Sequence, residues 1–242
     1  PLMVFAKASL LKETGETDMA IQTLESSLES LISFPYLNFL LGELKLARMD
    51  DDAHVPFETF IKSFKGNSYL KSSYQKLAWH ALLVKESPNL YRGYISKVGS
   101  VGNTMLDEDN AAQKELDSNK TPNKVLLTAR LQFDGGYYTD AWKTLINEPK
   151  GTSKTADEQL EWFYRLARIK QEMGEVEHSI SLYSIVVETG RETKRYFGAN
   201  ASLQLGLIHE ELGKKEIALA NYKECSKYSN TEYRNSINQK AK

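Results

Sequence analysis

The chain has 242 residues, 41% of them hydrophobic and 26% charged, with 31 basic against 32 acidic side chains and a formal net charge of −1. That is the composition of a folded globular protein with a sizeable core, and its balanced charge supplies no overall field to gather nucleic acid or an anionic membrane. A single cysteine, Cys225, excludes an internal disulfide and a Cys-rich zinc site, and no apolar run of about 18 residues is present to span a bilayer.

In chain order, the opening "PLMVFAKASLLKETG" has helical periodicity from its first residues, with neither an initiator Met nor a capping residue, and is read as belonging to a fragment of a longer chain. With "ETDMAIQTLESSL" it forms a helix, a turn and a helix, marked by Ala8, Gly15, Ala20 and Leu24. "YLNFLLGELKLARMDDDAHVPFETFIKSF" repeats the layout around Gly42, with a second helix beginning near Pro56. "QKLAWHALLVKESPNLYRGYISKV" repeats it around Ala78, with Leu90 and Tyr94 in the second-helix places.

The rhythm then breaks at "GSVGNTMLDEDNAAQKELDSNKTPN". Residues 102–120 are read as an insertion between repeats, in which Asp107 to Leu116 form a short acidic helix punctuated by Gly102, Asn103 and Pro122. Its two readings are a lid or partner-docking loop and a solvated connector, the second being the plainer.

Three further copies follow. "KVLLTARLQFDGGYYTDAWKTLINEP" places Ala129, Gly136, Ala141 and Leu145, "EWFYRLARIKQEMGEVEHSISLYSIVVETG" places Ala167, Gly174, Ser179 and Tyr183, and "LQLGLIHEELGKKEIALANYKEC" places Gly206, Gly213, Ala218 and Tyr222. Gly206 and its counterparts lack bulk where two helices of one hairpin cross, which offsets their cost in helix propensity. Finally, "TEYRNSINQKAK", residues 231–242, is read as a capping helix.

The small residues at 8, 42, 78, 129, 167 and 206 are separated by 34, 36, 51, 38 and 39 residues. Helix–turn–helix units with a period of about 34 are the mark of a tetratricopeptide array. The chain resembles a tetratricopeptide repeat (TPR) protein over nearly all its length, with His209 in place of the usual Tyr and Cys225 in place of the last Ala of the pattern. "YLNFLLGELKLARM", "YQKLAWHALL", "ARLQFDGGYY" and "RYFGANASLQLGLIHEELG" are similar to an uncharacterised group of exported bacterial TPR proteins. The resemblance implies an all-α, TPR-like α-solenoid of about six helix–turn–helix repeats, one domain over residues 1–242, and a periplasmic or cell-envelope location.

Side chains suited to chemistry have plainer uses. His54, His80, His178 and His209 lack zinc-ligand spacing, and His209 holds a packing position. Asp50, Asp51 and Asp52 read as closing one helix and capping the next. Cys225 sits where the repeat needs a small buried residue, and Trp79, Trp142 and Trp162 read as packing residues. With no phosphate-binding loop, nucleophile elbow or paired carboxylates, the sequence predicts a non-catalytic protein without cofactor or metal, whose partner is a protein or peptide rather than nucleic acid. A structural spacer or self-association module of a larger cell-envelope protein is the alternative.

The resemblance also implies a ligand face, since a TPR unit turns fixed positions of its first helix toward a concave surface. Carried onto this chain, the rule selects Asn123, Leu126, Arg130 and Asp134, then Tyr164, Arg165, Arg168 and Gln171, then Asn200, Gln204 and Glu210. Arg130, Arg165 and Arg168 would hold a carboxylate through paired hydrogen bonds, with Asn200 and Gln204 bonding a peptide backbone. The plainer reading pairs the arginines with Asp134 and Glu210.

Overall fold

The computed structural model describes residues 1–147, 155–193, 195–225, 227–228 and 239; the expected capping helix over 231–242 lies outside this set apart from one residue. Among the described residues there are fourteen α-helices and two 3-10 turns, and no strand. The all-α expectation holds. The chain divides into two compact units, Pro1–Tyr137 and Tyr138–Lys242, described in turn.

The first unit begins with α1 (Leu2–Glu13) and α2 (Thr17–Glu25), followed by a short α3 (Leu28–Ser33). Two more hairpins follow, α4 (Tyr36–Ala47) with α5 (His54–Ser63), and α6 (Leu70–Leu83) with α7 (Pro88–Lys97). Then come α8 (Asp107–Ser118) and α9 (Lys124–Asp134). Ala8, Ala20, Leu24, Leu40 and Leu44 bury one core between α1, α2 and α4. Phe39, Phe57, Phe60, Leu77, Leu82 and Tyr91 build the next. Serial cores of this kind, each shared by neighbouring hairpins, are what a repeat stack produces. At Gly42 an added Cβ would lie 2.8 Å from the Phe57 ring, so the glycine lets α4 and α5 close on each other.

Three expectations are corrected here. In α7 the buried residues are Tyr91 and Ile95, whereas Leu90 is 51% exposed and Tyr94 is only partly buried. Ser87 accepts from Leu90 N, and with Pro88 at the first turn it sets the helix phase one residue away from the repeat alignment. Asp50, Asp51 and Asp52 do not cap α5; their carboxylates pair with Arg48, Lys85 and Lys45 respectively. The segment 102–120 is not a solvated connector, because α8 packs on α6 and fully buries Ala112 and Asp109.

Asp109 explains that docking. Its carboxylate accepts from the backbone N–H of Tyr69 at 2.6 Å and of Ser72 at 2.9 Å, supplying the cap that α6 lacks in its own sequence. Tyr69, at φ +63, holds a left-handed conformation unusual for a side chain of its size, and the bond to Asp109 fixes it. Nearly two turns along, Glu115 accepts from Gln75, Trp79 and Tyr91 at 2.6 to 3.0 Å.

α9 packs against α4 and α6, the first helices of two earlier hairpins. Leu127 and Leu131 enter the core of Phe39 and Trp79. Beyond its end Gly135 O accepts from Thr17 Oγ1 at 2.5 Å, and Tyr137 Oη donates to Asp18 at 2.9 Å. The fourth first-helix of the sequence pattern is thus laid across the first helices of the second and third hairpins.

The second unit contains α10 (Tyr138–Ile146), α11 (Ala156–Glu172), α12 (Val176–Thr189), α13 (Phe197–Glu211) and α14 (Lys215–Cys225). A capping box starts α11, with Thr155 Oγ1 accepting from Glu158 N and Glu158 accepting from Thr155 N. Gly174 and Gly213, at φ +79 and +72, make the turns inside the two complete hairpins. Tyr183, Val186, Phe197, Leu205 and Ile208 fill the core between those hairpins. Cys225 packs with Ala199, Leu203 and Tyr228, a core position as the sequence implies.

Candidate functional site

The sequence-selected residues fall in both units. In the first, Asn123 is the cap of α9, its Oδ1 accepting from Val125 N at 3.0 Å and Leu126 N at 3.2 Å, and Leu126 is buried. Neither presents a free face to a ligand. Arg130 lies 3.6 Å from Asp134 one turn on, and its guanidinium carbon is 5.6 Å from the Trp79 ring centroid.

In the second unit, α11 and α13 run side by side and bring Tyr164, Gln171, Asn200 and Gln204 together. Tyr164 Oη donates to Asn200 Oδ1 at 3.0 Å, and Gln204 Nε2 donates to the same oxygen at 3.4 Å. Gln171 Nε2 then donates to Gln204 Oε1 at 3.5 Å, and Tyr183 Oη to Gln171 Oε1 at 2.7 Å. Each amide uses its oxygen inside this ladder. Burial pushes the Tyr183 phenol far above its ordinary range, so it stays a neutral donor and fixes the inner end.

The outer end differs. Asn200 accepts twice through Oδ1, while among the described residues its Nδ2 makes no hydrogen bond and the residue is half-buried. An amide held this way offers donors of fixed direction, matching a peptide carbonyl. Arg168 lies half-buried on the same helix as Tyr164 and Gln171, close enough to Tyr183 to act on it electrostatically.

Two selected residues have local partners that the groove reading did not include. Arg165 is held by Glu161, one turn earlier on α11, with Nε 2.8 Å from Oε1. Glu210 accepts from Tyr222 Oη at 2.6 Å, across the α13–α14 hairpin, and not from an arginine. The Glu161–Arg165 spacing of four was legible in the sequence as a helical ion pair.

Elsewhere, His54 Nδ1 and His80 Nε2 both face the carbonyl of Asp51, at 3.2 and 3.0 Å, with their rings 5.0 Å apart. His209 is half-buried and its Nδ1 meets Leu205 O at 2.7 Å, a local backbone contact. Burial pushes the Cys225 thiol up to about 11, which removes the thiolate needed of a nucleophile. Among the described residues no helix is long and apolar enough to cross a membrane.

Residues 199–232 match the family model described as "Tetratricopeptide repeat", which covers α13 and α14. The structure is also similar to the crystal structure of the P58(IPK) TPR domain, at 16% identity and a TM-score of 0.39 over 99% of this chain. The chain spans 64% of that domain's chain, and the likeness is too loose to transfer positions between the two. No curated protein matches. The repeat and the helical hairpins agree with the TPR resemblance, and repeats of this family are typically non-catalytic.

Proposed function

We propose that the chain is a non-catalytic interaction scaffold that holds an extended peptide or partner segment along the face shared by α11 and α13. The observation carrying this reading is the ladder from Tyr183 to Asn200, which spends every amide oxygen internally and leaves the Asn200 Nδ2 donors without a hydrogen bond among the described residues. Arg168 supplies charge beside it, and a carboxylate in the bound segment pairs with that guanidinium. Arg165 and Glu210, on the same two helices, are taken up by Glu161 and Tyr222.

Selection of binders from a random peptide library displayed on phage tests the proposal. Replacing Asn200 and Arg168 together by Ala, with the helical content unchanged by circular dichroism, weakens the selected peptides by roughly 2 to 5 kcal/mol where the contacts are desolvated. Selected peptides that bind this variant undiminished overturn the assignment.

The second reading, self-association, is favoured by one observation. Leu2, Met3, Leu28 and Ile32 on the first unit are 68 to 83% exposed. Where such side chains lie together they mark an association face. Sedimentation of the chain against a variant with Met3 and Ile32 changed to Lys decides it: a concentration-dependent dimer lost in the variant supports the reading, and a monomer in both removes it.

A further inference from the structure

Between α1, α4, α6 and α9 the first unit encloses a cavity of about 250 Å³. Its apolar wall is made by Leu44, Leu131 and the indole of Trp79, all nearly fully buried. Six charged side chains line it, three of each sign. Four of them are satisfied in pairs, Lys12 with Glu43 at 3.5 Å and Arg130 with Asp134 at 3.6 Å. Glu108 is exposed at the start of α8, where a carboxylate is favoured by the helix terminus.

Lys76 is the exception. Among the described residues its Nζ has no hydrogen bond and no ion pair, and it lies over the face of Trp79 at 4.1 Å. Arg130 faces the same ring at 5.6 Å from the exposed rim, so two cations converge on one indole. An ammonium partly withdrawn from water, with no carboxylate within ion-pair distance, is costly, and an aromatic face returns only part of that cost.

We propose that this cavity binds a small organic acid with an apolar body, its carboxylate accepting from Lys76 Nζ beside Arg130 and its body lying against Leu44, Leu131 and Trp79. The cavity lies just below the size range of drug-sized ligand pockets, which restricts the ligand to a few carbons beyond the carboxylate. Neither α4 nor α6 alone forms it; the return of α9 onto both closes the space.

Burial pulls the Lys76 amine down to about 8 in the free protein, with Arg130 adding to the depression and Glu43, Glu115 and Asp134 opposing it. A bound carboxylate reverses that shift, which gives the test a readout of its own. In the full chain labelled with carbon-13 at lysine Cε, the Lys76 resonance is identified by its loss in Lys76→Met, and its titration is followed with isocaproate, leucine, isoamylamine or inorganic phosphate up to roughly 10 mM, enough to detect millimolar affinity. Isocaproate is expected to raise the Lys76 titration midpoint saturably, leucine to do so too, and calorimetric binding to weaken at least tenfold in Lys76→Met and in Arg130→Gln. Two variants are used so that misfolding of one does not decide the result. The proposal is overturned if Lys76 titrates at the ordinary lysine value without a probe, if isoamylamine acts as isocaproate does, if phosphate at equal ionic strength gives the same shift, or if no probe saturates.

Discussion

Gly206 and Tyr222 meet at the crossing of α13 and α14, where a methyl group placed on the glycine would lie 2.2 Å from Tyr222 Cε1. The ring cannot swing clear freely, because its hydroxyl is bonded to Glu210 at 2.6 Å. Gly206→Ala is therefore expected to destabilise the chain by roughly 1 to 3 kcal/mol despite the better helix propensity of alanine, and Tyr222→Leu in the same background to recover part of the loss. Urea denaturation of the three variants checks both signs.

Asp109→Ala removes the acceptor for two backbone amides, one buried and one partly buried, and frees the left-handed turn at Tyr69. A loss of roughly 2 to 4 kcal/mol is expected, since each amide keeps its desolvation cost without its bond. Hydrogen exchange separates this from a surface effect: protection should fall first at Tyr69, Ser72 and the start of α6.

His80 makes stability depend on pH. Burial holds His80 below its ordinary value, the shared Asp51 carbonyl opposes this, and the neighbouring His54 and Lys85 add to the depression while the Asp51 carboxylate counters it. The unfolded chain therefore binds a proton more readily than the folded one, so stability falls as the pH drops from about 6.5 toward the depressed folded value. Denaturation midpoints at pH 7.5 and 5.5 should differ more in the native sequence than in His80→Gln. Equal differences in the two proteins would remove the histidine from the account.

Cys225 is 1% exposed and its thiol is raised to about 11. Ellman's reagent should leave the folded chain unreacted over minutes at pH 8 and label one thiol at once in denaturant. Fast labelling under native conditions would mean that α14 opens locally.

What the sequence by itself determined is whatever depends on near neighbours along the chain. Gly42, Gly206, Gly174 and Gly213 could be placed in advance because each serves one hairpin, where a crossing or a turn recurs with every repeat. The burial of Ala8, Ala78, Ala129 and Ala167 follows from the same period, as does the core position of Cys225. Tertiary structure alone decided which distant segments meet. Asp109 caps a helix some forty positions earlier in the chain, and α9 returns to α4 and α6 carrying Arg130 to Trp79. No local periodicity encodes those encounters, because they turn on the path the chain takes through 102–120 and on the burial available at its end. The pairing of Asp51 with Lys85 was settled likewise, because an ion pair forms with whichever opposite group the fold brings within reach, whereas Glu161 with Arg165 and Arg48 with Asp50 are neighbours along the chain; the repeat rule specifies only the direction in which a side chain leaves its helix.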